Sequence, residues 1–99
     1  MKLKIHSIHF DADQKLVDFV QEKVDKLDHF FDKFIDGEVF LRLDKASNNE
    51  NKIAEIRLNI PGTNLFAKKQ SKSFEESTDS AVEALRRQVK KHKEKQKIA

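Results

Sequence analysis

The side chains best placed to do chemistry lie in residues 86–99, where Arg86, Arg87, Lys90, Lys91, Lys93, Lys95 and Lys97 face a single acid, Glu94, for a net charge of +6. The whole chain of 99 residues carries 20 Lys and Arg, 17 Asp and Glu and a formal net charge of +3. Residues 1–85 therefore hold 13 basic and 16 acidic side chains, a net of −3. A mild total thus hides an acidic body with a strongly basic end, an asymmetry that points to nucleic acid, an anionic membrane or an acidic partner. On a helix, at about 100° per residue, Arg86, Lys90, Lys93 and Lys97 share one ridge and Arg87, Lys91 and Lys95 a neighbouring one. Each can neutralise a phosphate and release a condensed counterion, giving sequence-independent, salt-sensitive affinity. Cations also favour a helix C-terminus through the macrodipole, but that effect fades within the last turn and does not call for seven of them.

Other chemistry finds little support. The four histidines are His6, His9, His29 and His92. Asp25 and His29 share a helix face at a spacing that can bind metal, but the pair reads better as an ordinary surface pair. No glycine-rich phosphate loop, Gly-x-Ser-x-Gly or His-Glu-x-x-His string is present. The chain has no cysteine, which removes disulfides, thiolate metal sites and thiol catalysis and fits a reducing cytosol. The expectation is a protein that is not an enzyme, with no cofactor, no metal and no small-molecule substrate. No apolar run approaches the roughly 20 residues of a membrane span, and Met1–His6 lacks the apolar stretch of a signal peptide. The apolar and basic segments barely overlap near the C-terminus, so a membrane-surface helix is disfavoured against RNA.

The elements that must hold the basic end can be read from periodicity. Leu3 and Ile5 alternate with Lys2, Lys4 and His6 as a first strand, and the alternation slips at Ser7-Ile8. Asp13 is a candidate N-cap. Leu16, Val20, Val24, Leu27, Phe31 and Phe34 then follow at spacings of three and four, which predicts an amphipathic helix over about 13–33. Phe30, Phe31 and Phe34 read as core, and Asp36-Gly37 as a turn. Val39, Leu41 and Leu43 make a second strand, Ser47–Asn51 a polar loop, and Ala54, Ile56, Leu58 and Ile60 a third strand. Pro61-Gly62 signals a type II turn into a fourth strand with Leu65 and Ala67. Ser73-Phe74-Glu75-Glu76 is a capping box opening a helix whose inner stripe is Phe74, Thr78, Ala81, Val82, Leu85 and Val89. Over 74–96 that helix spans roughly 35 Å, its apolar half anchored and its basic end, about 86–97, projecting.

The pattern β-α-β-β-β-α predicts a single α+β domain over residues 1–99. Its fold is a two-layer sandwich, a four-stranded mixed sheet with two helices packed on one face. The opposite face would carry Lys4, His6, Phe40, Arg42, Glu55, Arg57, Phe66 and Lys68. Lys68 and Lys69, at the end of the fourth strand, extend the basic surface. Lys23 and Lys26 alternate with Glu22, Asp25 and Asp28, a pattern typical of a solvated, ion-paired face. Phe40 and Phe66 are rings that could stack on bases, although the glycine-aromatic motif of the RNA-recognition fold is absent.

Three strings resemble a known family. Lys2-Leu3-Lys4-Ile5 is similar to the first strand of the ribosome hibernation-promoting factor and sigma-54 modulation family, which includes the ribosome-associated inhibitors. Lys23-Val24-Asp25-Lys26-Leu27-Asp28-His29-Phe30-Phe31-Asp32 resembles its first-helix signature, Lys-x-x-Lys-Leu-Glu-x-Tyr-Phe-Asp. Asp79, Leu85, Arg87-Gln88, Lys91-His92-Lys93 and Lys95 resemble its Asp-x(5)-Leu-x-Arg-Gln-x-x-Lys-His-Lys-x-Lys. The likeness spans essentially the whole chain. It implies a fold akin to a double-stranded-RNA-binding domain, and binding to the small ribosomal subunit and its rRNA where mRNA and tRNA pass. It also implies a role in silencing translation under stress, in the cytoplasm, as the family's short form. By position, Lys23, Lys26, Arg87, Lys91, Lys93 and Lys95 match family basics. Ala84 stands where many members have Lys, Arg86 and Lys90 are basic where some are neutral, and Glu75 replaces a frequent Tyr.

The expected function is therefore a ribosome-bound translation inhibitor, monomeric when free, with Lys23, Lys26, Lys68, Lys69, Arg86, Arg87, Lys90, Lys91, Lys93 and Lys95 toward rRNA. A generic double-stranded-RNA-binding module and a protein-interaction domain that modulates a sigma factor are the alternatives.

Overall fold

A computed structural model describes residues 1–45 and 49–98. Ser47 and Asn48 of the expected loop, and the side chain of Lys97, lie outside the described residues. The elements are β1 (Lys2–Ile8), α1 (Gln14–Asp25), a 3-10 turn (Lys26–His29), β2 (Asp36–Leu43), β3 (Lys52–Ile60), β4 (Thr63–Ser71) and α2 (Phe74–Ile98). The sheet order is β1-β2-β3-β4. β1 and β2 are parallel, while β2, β3 and β4 form an antiparallel meander. The α+β sandwich expected from periodicity is present, with one core cluster joining both helices to the inner sheet face.

That face is built by alternation. Val39 and Leu41 of β2, Ala54, Ile56, Leu58 and Ile60 of β3, and Leu65 and Ala67 of β4 are buried against Val20, Val24, Leu27, Phe31, Phe74, Ala81, Leu85 and Val89. Leu43 departs from the pattern and is exposed at the strand end. The caps behave as read. Asp13 Oδ1 accepts from the Leu16 amide at 2.8 Å, and Ser73 Oγ from the Glu76 amide at 3.1 Å. Gly62 has φ +86°, which a side chain rarely adopts and which the second central residue of a type II turn requires.

One expectation narrows and two change. First, β1 ends where the alternation slips at Ser7-Ile8, staying paired with β2 through Ile8 and stopping where His9 turns to φ 64°. Second, Asp36-Gly37 is not a turn but the start of β2, paired with Asn59 and Leu58. Gly37 is there for close approach, since a Cβ would lie 2.6 Å from Leu58 Cδ2 and 2.9 Å from Leu3 Cδ1. Third, the first helix is α-helical only to Asp25 and tightens at once into the 3-10 turn. Asp, His and Phe propagate a helix weakly, and last turns commonly tighten in this way. The 3-10 turn keeps Leu27 and Phe31 inward but swings Phe30 out, leaving it 41% exposed instead of in the core.

Two polar contacts decide where α2 sits. Ser77, fully buried, donates from Oγ to the Lys52 carbonyl at 2.6 Å and lies 2.8 Å from Ser71 Oγ. Further along, Gln88 treats the free edge of β4 as a partner strand would. Its Nε2 donates to the Phe66 carbonyl at 2.7 Å, and its Oε1 accepts from the Phe66 amide at 3.3 Å. One side-chain amide thus satisfies both groups that an edge strand leaves open there. Thr78, also buried, is the exception, because its hydroxyl has no partner.

Denaturant unfolding separates these roles. Gln88→Ala costs about 1–2 kcal/mol by removing two hydrogen bonds, and Ser77→Ala about 1–3 kcal/mol by leaving the Lys52 carbonyl unpaired. Thr78→Val, nearly isosteric, leaves stability unchanged or raises it, because the orphan hydroxyl is removed. A loss above about 1 kcal/mol in Thr78→Val would contradict this assignment.

Candidate nucleic-acid interface

The 25 residues of α2 run about 37 Å at 1.5 Å per residue. The nine residues of β4 beneath it cover only about 30 Å. The protein accordingly measures 47 Å along its long axis against 24 and 19 Å across. Among the described residues, the last core residue of the helix is Val89, after which His92 packs edge-on to Phe31 at 5.8 Å. Arg86, Arg87, Lys90, Lys91, Lys93 and Lys95 are all exposed. Their helical continuation follows from composition, since Lys, Arg, Gln and Glu all propagate a helix well.

The two cationic ridges flank different surroundings. Arg86, Arg87, Lys90 and Lys93 line a groove of about 600 Å³ with Phe30, Val89, Glu83 and Glu94. At its centre the Arg86 guanidinium lies over the Phe30 ring, 4.4 Å from the centroid, and its Nη1 is 3.8 Å from Glu83 Oε1. Lys93 Nζ donates to the Phe30 carbonyl at 2.9 Å. Of the other ridge, Arg87 reaches this groove, whereas Lys91 and Lys95 do not line it. Among the described residues, Arg87, Lys90, Lys91 and Lys95 make no ion pair. Their charge is left for an external anion.

The first helix supplies less free charge than its sequence promised. Lys23 Nζ is 3.3 Å from Asp79 Oδ1 on α2 and 5.4 Å from the centre of the Phe19 ring, so it ties the helices together. Lys26 is exposed and lines a second stretch of the seam with Lys23, His29, Phe30, Asp79 and Arg86. Nearby, the Met1 α-amino group bonds Asp28 Oδ2 at 3.0 Å and Asp25 Oδ1 at 3.2 Å. Hydrogen bonds to Asp28 and then Asp25 raise its pKa above the ordinary α-amino value. Those two acids are thereby partly neutralised beside Lys26. Asp25 also accepts from Gln21 at 3.0 Å, so it is engaged by the amine and an amide and not by His29.

The open sheet face holds the eight residues expected there, and part of its charge is paired across strands, although Lys4 and Arg57 make no ion pair among the described residues. Glu55 takes Arg42 and also Lys68, the latter at 3.8 Å. Glu38 takes His6 at 3.0 Å, His6 stacks on Phe40 at 4.8 Å, and Arg57 covers Phe66 at 5.7 Å. Lys68 is therefore not brought together with the basic helix, because it points from the face that α2 does not cover. Lys69 shares the strand parity of Leu65 and Ala67 but lies past their buried stretch and is exposed. Lys23, Lys26, Arg86, Arg87, Lys90 and Lys93 do converge on one seam.

Sequence reasoning missed Phe30 and Gln88 as parts of this site. Phe30 falls in an apolar run whose three-and-four spacing a 3-10 turn satisfies as well as an α-helix. Gln88 carried a signal inside the string it belongs to, whose uncharged and acidic members all seat the helix. Asp79 holds Lys23, Leu85 is core, Gln88 grips β4 and His92 meets Phe31. Only the cations between them face out.

Known proteins resemble this chain in sequence and in fold. A ribosome hibernation promoting factor of Pseudomonas putida (strain KT2440) is 32% identical over 96 residues, covering 97% of this chain and 90% of that protein. The crystal structure of the Thermus thermophilus Protein Y N-terminal domain superposes with a TM-score of 0.80 at 25% identity, covering 93% of this chain and 99% of that one. A ribosomal subunit interface protein from Coxiella burnetii shares the fold, with a TM-score of 0.83 at 18% identity, over 94% of this chain and 98% of that one. Residues 3–97 match the family described as sigma 54 modulation protein / S30EA ribosomal protein, and the chain belongs to that family.

Proposed function

We propose that this member of a ribosome-associated hibernation family binds the small ribosomal subunit through the rRNA backbone and, by lying across the path of mRNA and tRNA, silences translation without a chemical step. The observation that carries the reading is the cationic end of α2. It overhangs the sheet, has its last core residue at Val89, and keeps Arg87, Lys90, Lys91 and Lys95 free of acids among the described residues. A helix end of like charges repels itself, by about 0.2–0.5 kcal/mol for each i,i+4 pair. Arg87 with Lys91, and Lys91 with Lys95, are two such pairs. That cost is offset when phosphates stand opposite, each contact releasing a counterion.

The names of the relatives support the ribosome as partner, and that partner supports a cytoplasmic location. The partly ion-paired sheet face supports the helix side, not the open sheet, as the surface toward RNA. Lys26, Arg86 and Lys93 add to the contact along the seam, and Lys23 contributes chiefly by holding α1 to α2.

Binding to purified small subunits, measured across a salt series, tests this. Replacing Arg87, Lys91 and Lys95 together by Gln weakens binding and flattens the plot of log affinity against log salt by roughly two to three units, the value for three lost phosphate contacts. An unchanged slope would show that this ridge does not grip the backbone. Equal binding of the unaltered protein to any RNA duplex would favour a generic duplex-binding module instead.

A further inference from the structure

An aromatic ring left 41% exposed in the middle of four cations is an expensive surface feature unless something covers it. Contact between α1 and α2 does not require it, because Leu27, Val24 and Leu85 already fill that interface as buried core. What Phe30 does is hold Arg86. The guanidinium lies over the ring at 4.4 Å, steadied from the side by Glu83. Its side chain remains 53% exposed, so much of it is open to the groove. Lys93, bonded to the Phe30 carbonyl, fixes the backbone beneath the ring. Stacked arginine loses less freedom on engaging a planar partner than a mobile one would, and an Arg plane supported by an aromatic ring is a platform on which unstacked RNA bases lie.

We propose that Phe30 and Arg86 form a stacking platform for one unpaired base of the bound RNA, with Arg87 and Lys90 at the rim of the same groove taking the flanking phosphates. The assignment rests on the rRNA-binding reading above and adds to it a contact that charge alone does not supply. Charge decides between RNA and an acidic peptide only in part, since Glu83 and Glu94 also line the groove. The guanidinium over the ring favours a base further, because its exposed plane offers a face on which a planar base can stack. Arg86 acts here by direct contact with the base, and Phe30 is the positioning residue that holds the guanidinium over its ring.

The test uses charge-neutral changes. Phe30→Leu keeps apolar bulk without a π face, Arg86→Lys keeps the charge without a plane, and Phe30→Tyr keeps the ring. Affinity for purified small subunits across a salt series is measured together with the reactivity of rRNA bases to dimethyl sulfate, and thermal unfolding checks that each variant is folded. Phe30→Leu and Arg86→Lys are expected to bind about 5- to 100-fold more weakly with the salt slope of the unaltered protein. They should lose protection of a discrete unpaired base, and Phe30→Tyr should retain both. Folded variants with unaltered affinity and protection overturn the platform while leaving ribosome binding intact. A loss of affinity that comes with a flatter salt slope also overturns it, by assigning the groove to phosphates alone. Failure of the unaltered protein to bind subunits at all overturns the underlying function, and this inference with it.

Discussion

The burial of Leu85 and Val89 is the contact on which the rest of the molecule's chemistry depends. These two side chains, 0% and 2% exposed, are the last firm attachment of α2 to the sheet. Burying each contributes about 1.5–3 kcal/mol, well above the few tenths that each repulsive pair of cations beyond them costs. Because side-chain direction on a helix repeats every 3.6 residues, fixing Leu85 and Val89 inward fixes where each later cation points. Gln88 removes the remaining freedom of rotation by gripping both open backbone groups of Phe66. The cations are thus positioned by neighbours that carry no charge.

The same geometry divides the surface into two electrostatic regimes. On the open sheet face, Glu55 lies between Arg42 and Lys68, and Glu38 is bonded to His6. Antiparallel register places Lys68 opposite Glu55, where opposite charges contribute roughly 0.2–1 kcal/mol a pair, and Arg42 reaches Glu55 on the diagonal. On α2 the spacing that would allow such pairing is filled with more cations. An anion approaching the protein therefore meets a net acidic body and one strongly cationic helix end, which favours a single docking orientation.

Much of this was legible in the sequence because strands, caps and the inner stripe of α2 each obey a short-range rule. Asp13, Ser73, Pro61-Gly62 and the alternation of β3 needed no tertiary information. Three features did. Gly37 reads as a turn because Asp-Gly usually is one, and only the side chains of Leu3 and Leu58 closing over it show why a strand lacks a Cβ there. The switch to a 3-10 turn at Lys26 leaves the apolar spacing intact, so periodicity cannot detect that Phe30 has moved outward. Lys68 and Lys69 adjoin the basic helix in sequence, yet the pleat sends one to the far face and the helix starts at the other end of the sheet from its own basic tip. Adjacency along a chain that reverses direction says little about which charges act together.

The claim that the end of α2, and not the open sheet, faces rRNA can be measured directly because the chain has no cysteine of its own. A single cysteine at Glu94 on α2, or at Lys4 on the sheet, can carry a tethered iron chelate that generates hydroxyl radicals in a complex with the small subunit. The account predicts localised rRNA cleavage from Glu94→Cys and little or none from Lys4→Cys. Strong cleavage from Lys4→Cys with none from Glu94→Cys would contradict it.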